Sequence, residues 1–270
     1  MNKVVLITGA SAGMGKETVK LLLQRGYTVY GAARRVENMK DIASLGARVL
    51  QMDVTDEESM VKGVDEIIKA EGRIDILINN AGFGSYGAVE DVPIEDARYQ
   101  MEVNVFGVAR LSQLVIPSMR ENQYGKILNI SSIGGKFALP LGGWYHASKF
   151  ALEGLSDSMR NELKPFGIDV IVIEPGGVKS EWAGVAMANL MKVSGQDIYQ
   201  PMAQKFVNLS VMLEPKSAEP VVIAELMLKA IEAKKPKFRY VGGYLAAPTV
   251  LLRKLLPDRI FDQLTMSQIK

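Results

Sequence analysis

Continuous apolar runs alternate with amphipathic ones through the first two thirds of the chain. Residues 3–8, 27–32, 47–52, 75–79, 126–130 and 169–174 are short and rich in Val, Ile and Leu. They lack the in–out alternation of a half-exposed strand. Between them, residues 15–25, 38–45, 56–70, 94–121 and 143–164 have helical spacing; Val19, Leu22 and Leu23, for example, share one face. A strand that is apolar on both faces must be covered on both, and a helix after each strand supplies the cover. The expected class is therefore α/β, a doubly wound parallel sheet with right-handed crossovers.

After Pro175 the rhythm breaks. Residues 176–215 contain Met187, Met191, Met202 and Met212 among small residues. A helix follows at 218–233, a last strand at 237–241, and one or two amphipathic helices within 244–264. Neither a repeat nor a linker interrupts the chain. The reading is one domain over 1–270, with a core over 1–180, a helical substrate lid over 181–215 and a C-terminal amphipathic segment over 244–265.

The 270 residues include no cysteine and one histidine. That removes disulfide frameworks, thiolate zinc sites, iron–sulfur clusters and cysteine nucleophiles, so no metal is expected. Acid–base chemistry is left to Tyr, Lys, Ser, Asp or Glu. A net charge of +2 gives no reason to expect a nucleic-acid partner. No run reaches the ~18–20 uncharged apolar residues of a membrane span, and the first apolar run is too short for a signal peptide. A cytoplasmic location is expected.

Thr8-Gly9-Ala10-Ser11-Ala12-Gly13-Met14-Gly15 joins the first strand to the first helix. Glycines there permit a tight turn and close approach to a pyrophosphate, while the helix start offers free N–H groups and the positive dipole end. In this position the loop reads as the dinucleotide cradle of a Rossmann-like sheet, with an ordinary glycine-rich turn as the alternative. Gly9, Ser11, Gly13, Met14 and Gly15 are the candidate contacts. The second strand ends Gly31-Ala32-Ala33-Arg34-Arg35, with no carboxylate near Ala33 to bind ribose hydroxyls. Arg34 and Arg35 can instead pair with a 2′-phosphate, so NADP(H) is expected over NAD(H). The alternative is a solvated pair at a helix start.

Tyr145 and Lys149 are four residues apart, which stacks them on one helical face. A neighbouring ammonium favours a tyrosinate and lowers the tyrosine's pKa, readying it to exchange a proton with a carbonyl or alcohol oxygen. Ser131 and Ser132 end the fifth strand, and Ser132 stands 13 residues before Tyr145. These features together resemble the short-chain dehydrogenase/reductase family. The likeness covers about residues 3–180, in order: Thr8-Gly9-x-x-x-Gly13-x-Gly15, Asp53-Val54, Asn79-Asn80-Ala81-Gly82, Asn104, Asn129-Ile130-Ser131-Ser132, Tyr145-x-x-x-Lys149 and Pro175-Gly176. Its style is closest to the 17-beta-hydroxysteroid and retinol dehydrogenase-like branch.

The resemblance implies roles. Tyr145 is the acid–base residue, Lys149 lowers its pKa and binds the nicotinamide ribose, and Ser132 polarises the substrate oxygen, with Ser131 as its rival. Asn104 supports a water in a proton relay behind Lys149, and a structural helix-kink role can coexist with that. Asp53 and the Val54 backbone contact adenine; Asn80, Ala81 and Gly82 line the ribose and nicotinamide side; Asn79 ties neighbouring strands. Pro175, Gly176, Val178 and Ser180 reach the carboxamide and phosphates. His146, one helix step from Tyr145, turns about 100° away and is expected at a rim or in packing.

Phe83, Tyr86, Phe137, Leu139, Trp144 and Trp182 are the expected substrate wall, with a Met-rich lid over 182–213 that suits an apolar ketone, aldehyde or secondary alcohol of steroid, retinoid or acyl kind. The C-terminal segment covers the pocket, packs on the domain or rests on a membrane surface. Family likeness implies a homodimer or homotetramer through the helices at 94–121 and 143–164. The function expected is hydride transfer between NADP(H) and a small-molecule carbonyl or alcohol. A non-catalytic NADPH-binding sensor on the same fold is the alternative.

Overall fold

The computed structural model describes residues 2–267; Met1 and residues 268–270 of the expected 1–270 domain lie outside them. Among the described residues, seven strands form one parallel sheet: β1 (Val4–Thr8), β2 (Thr28–Ala33), β3 (Arg48–Gln51), β4 (Ile76–Asn79), β5 (Gly125–Ile130), β6 (Ile168–Pro175) and β7 (Arg239–Gly242). Their order is β3-β2-β1-β4-β5-β6-β7. The register pairs Leu6 with Tyr30 on one side and with Leu77 on the other.

The helices α1 (Gly13–Gln24), α2 (Lys40–Ser44), α3 (Glu57–Glu71), α4 (Ile94–Met101), α5 (Gly107–Glu121), α6 (Gly143–Leu163), α7 (Glu181–Ser194), α8 (Gln200–Leu213), α9 (Pro220–Glu232), α10 (Ala246–Leu255) and α11 (Asp258–Met266) complete the chain. Alternate residues of each strand feed two cores. Val5, Ile7, Ile78 and Ile173 pack with Val19 and Leu22 of α1 and Ile223 and Met227 of α9. Val4, Leu6, Leu77 and Ile127 pack with Val64 of α3, Leu111 and Val115 of α5 and Met159 of α6. Each fully buried Leu or Ile contributes about 1.5–3 kcal/mol, so two such layers fix the strand register. This is the expected Rossmann-like α/β architecture.

Two polar residues explain local details. Asp56 caps α3, accepting from the amides of Glu58 and Ser59. Lys126, in the middle of β5, is buried because Nζ donates to the carbonyls of Ile231 (2.5 Å) and Ala233 (2.6 Å) and closes the end of α9. The expected helix over 94–121 is interrupted by a wider π turn at Glu102–Phe106. The expected strand-poor stretch at 176–215 forms α7 and α8. Strand order reverses beside β1, and the carboxyl ends of β1, β4, β5 and β6 form the crevice in which ligands of such sheets sit.

Candidate active site

The β1–α1 loop is built against β4. Thr8 Oγ1 accepts the amides of Asn80 and Ala81, and Asn80 Nδ2 donates to the carbonyls of Thr8 (3.0 Å) and Gly9 (3.2 Å). A methyl group at Gly15 would lie 2.4 Å from the Gly9 carbonyl oxygen, so only glycine lets helix and loop close. Gly13 is different. Its φ is +54°, and a methyl there would meet only Ser180 Cβ, at 4.0 Å. That open side of the helix start faces the β6–α7 loop, which carries Gly176, Val178 and Ser180. The loop is pinned by Gly176 N donating to Gly242 O (2.8 Å) and Gly177 N to Tyr244 O (3.0 Å). The free amides of a helix start, left open on this side, are the donor set a dinucleotide phosphate needs. Asn80 Oδ1 is buried without a partner there.

Other expected cofactor residues are placed less simply. Arg34 and Arg35 are both exposed beyond β2. Arg34 donates to Tyr99 Oη at 2.9 Å, while Arg35 pairs with no side chain among the described residues. Asp53 turns its carboxylate to the amide and hydroxyl of Thr55, at 3.0 and 2.8 Å. Asn79 donates to Asn129 Oδ1 (2.9 Å), tying β4 to β5.

Tyr145 and Lys149 lie on one face of α6. Lys149 Nζ is 5.9 Å from the Tyr145 ring centre and donates to Ile130 O at 2.9 Å. Ser132 Oγ lies near enough to the Tyr145 hydroxyl to oppose the rise in its pKa. Ser132 Oγ also accepts the Gly134 amide, at 3.0 Å. Ser131 is buried and its hydroxyl has no partner. The geometry brings Ser132, not Ser131, to the tyrosine.

Burial pushes the Tyr145 hydroxyl up to about 12, and the Ser132 hydroxyl opposes this. The expected lowering by Lys149 is not what the protein alone produces, because desolvation of the phenolate outweighs it. Burial in turn lowers Lys149 to about 8, partly countered by Glu153. At neutral pH the pair is therefore a neutral phenol beside an ammonium.

Asn104 sits in the π turn. Its side chain accepts from Phe83 N (3.1 Å) and donates to Phe83 O (2.9 Å) and Ser148 Oγ (3.0 Å). It ties the β4–α4 loop to α6. His146 is packed rather than at a rim: Nδ1 meets Gly134 O at 2.9 Å, Nε2 is buried without a partner, and burial lowers its pKa.

The expected substrate wall is only partly assembled. Trp182 of α7 covers Tyr145, ring centres 5.2 Å apart. Phe83 instead stacks on Tyr99 at 5.5 Å. Phe137 packs between His146 (6.2 Å) and Phe261 of α11 (5.5 Å). Leu139 and Trp144 are half-buried beside the loop before α6. The apolar cluster that does surround Tyr145 comprises Tyr86, Leu141, Leu190 and Ala203, with Met187, Met202 and Phe206 against it. Tyr86 lies 5.6 Å from Tyr145 and touches both Trp182 and Phe206. Tyr86 was expected in the wall; Phe206 lies within the expected wall segment 182–213 but carried no signal of its own.

The family model for short chain dehydrogenases matches residues 3–189. The chain belongs to the short-chain dehydrogenase/reductase family. This dehydrogenase is 36% identical over 265 residues to a 3-ketodihydrosphingosine reductase of Bacteroides thetaiotaomicron, covering 96% of this chain and 95% of that one. It is 35% identical over 282 residues to an NADPH-dependent 3-dehydrocapnine reductase of Ornithobacterium rhinotracheale, covering 99% and 98%. A short-chain dehydrogenase of Streptomyces avermitilis superposes with a TM-score of 0.82 at 32% identity, covering 98% of this chain and 95% of that chain. The short-chain dehydrogenase described here is thus an oxidoreductase acting on carbonyl or alcohol groups.

Proposed function

We propose that this short-chain dehydrogenase uses NADP(H) to reduce a ketone carried on an apolar, acyl-like chain. The observation that carries the reading is Tyr145: a neutral, buried phenol against the rings of Tyr86 and Trp182, in one apolar cluster with Leu141 and Leu190. An apolar wall around the proton donor favours an oxygen carried on an apolar substrate. The names of the sphingosine-type and capnine-type reductases, one of them NADPH-dependent, support the same direction and substrate class.

Gly9, Ser11, Gly13, Met14, Gly15 and Ser180 would hold the dinucleotide phosphates, and Asp53 and Val54 the adenine. Asn80, Ala81, Gly82, Pro175, Gly176 and Val178 would line its ribose and nicotinamide end. Arg34 and Arg35 would take the 2′-phosphate, with Arg35 the freer of the two. When bound, the nicotinamide supplies hydride. Ser132 Oγ would hold the substrate oxygen while Tyr145 Oη gives it a proton. Lys149 would bind ribose hydroxyls and, as a cation, favour the phenolate that remains. Asn104 would keep the pocket floor in place and support a water behind Lys149. α7 and α8 would act as the lid, with Trp182 moving off Tyr145 as substrate enters. The cysteine-free composition is compatible with the cytoplasmic setting we assign.

Cofactor binding tests the reading. Titration by fluorescence should show NADPH bound at least about tenfold more tightly than NADH, and the Arg34→Asp, Arg35→Asp double variant should erase the difference. Tighter NADH binding by the unaltered protein would overturn it.

A further inference from the structure

Lys149 is a buried ammonium with no carboxylate in ion-pair contact among the described residues; its Nζ donates to Ile130 O alone. An uncompensated buried charge is costly, so a carboxylate within reach favours the ammonium over the neutral amine. One turn further along α6 stands Glu153, 5% exposed. Its Oε2 is held by Lys136 Nζ (2.5 Å) and by the Arg239 guanidinium (3.0 Å), while Oε1 is buried without any partner. Lys136 and Arg239 each also reach Glu174 Oε1, at 3.2 Å. Arg239 continues to Asp157, one more turn along α6, at 2.8 Å.

We infer that Glu153 is a positioning residue for the reaction, fixed by Lys136 and Arg239 so that its carboxylate holds Lys149 in the ammonium form. This rests on the proposed role of Lys149. On its own helix Lys149 has Tyr145 one turn before it and Glu153 one turn after; Tyr86 from the β4–α4 loop lies against Tyr145. Lys136 from the loop after β5, Glu174 on β6 and Arg239 on β7 lie behind Glu153. Of the carboxylates, Glu153 is one helical turn from Lys149 and Asp157 two. Charges at such spacing inside the protein interact over more than contact distance. The cationic clamp on Oε2 explains why Glu153 does not simply fold onto the nearer ammonium. Four elements, α6, the loop after β5, β6 and β7, are thereby tied to one titration.

The test needs neither cofactor nor substrate. Lysine side chains are labelled with carbon-13, the Lys149 signal is identified by its loss in Lys149→Arg, and its midpoint is followed by NMR against pH. Glu153→Gln, which preserves shape, should lower the midpoint by about one pH unit. Asp157→Asn, cut from the same network but a turn further away, should shift it clearly less. Lys136→Met should raise it, and this variant carries the test alone if Glu153→Gln does not fold. In turnover assays the alkaline fall in kcat should move with the midpoint while KM stays constant. An unmoved Lys149 midpoint in Glu153→Gln, equal shifts for Glu153→Gln and Asp157→Asn, or a downward shift in Lys136→Met would overturn the inference. Absence of NADPH-linked turnover would bear on the proposed function and leave this titration standing.

Discussion

Tyr145 and Lys149 are each pushed by burial toward their uncharged forms, and this sets the pH behaviour. Tyr145 stays protonated through the physiological range, as a proton donor must. Lys149 loses its charge through about pH 8, so the kcat for reduction should fall on that limb; a profile flat to pH 10 would contradict the assignment. The sign for stability is opposite. A lysine whose folded pKa is depressed destabilises the fold while charged, so its contribution improves as pH rises from about 8 toward the ordinary lysine value. Denaturant titrations of the protein and of Lys149→Met should converge over that range. His146→Gln should leave turnover largely intact, since the ring is packed against Gly134 and Phe137. The Tyr145–Lys149 pair was legible from spacing because helix geometry dictates which residues share a face, whereas Ser132 over Ser131 came from the family resemblance. The raised phenol was not, because desolvation depends on Tyr86 and Trp182, which arrive from distant segments.

At the scale of elements, the π turn at Glu102–Phe106 earns its place through Asn104. Its three hydrogen bonds join the β4–α4 loop to α6. Asn104→Ala should cost about 1–3 kcal/mol in urea unfolding, since it leaves part-buried backbone groups of Phe83 unpaired. A loss below about 0.5 kcal/mol would show that water replaces the side chain. α7 contributes Trp182 to the roof over Tyr145. Trp182→Ala should raise KM for a long-chain ketone by roughly tenfold or more through lost apolar contact, while a small soluble ketone is turned over unchanged. The six strands before residue 176 were readable because apolar runs buried on both faces have one architectural solution. The turn was unreadable because one extra residue in a helix hardly alters its periodicity. Nor were the partners of Phe83 and Phe137, since Tyr99 and Phe261 carry no local signal of their positions.

Across the whole molecule, the sheet places two functions at one edge. The loops after β1 and β6 make the proposed dinucleotide groove, and the loop after β5 together with α6 carries the proposed reacting groups Ser132, Tyr145 and Lys149. On the outer faces of α4, the π turn and α6, Ile94, Tyr99, Phe106 and Phe150 are exposed, Phe106 by 55%. Apolar side chains on these helices fit the homodimer or homotetramer expected from family likeness. Phe106→Asp with Phe150→Asp should yield a monomer in light scattering; an unchanged mass would place any interface elsewhere. No described helix is long and apolar enough to cross a membrane. The central claim is that Tyr145 gives the proton in an NADPH-driven ketone reduction. Its most direct test is NADPH consumption, followed by absorbance, with a panel of apolar-chain ketones and both the unaltered protein and Tyr145→Phe. The expected result is turnover that falls by about 10²–10⁴-fold in Tyr145→Phe, with NADPH affinity retained. Turnover undiminished by that substitution would contradict it.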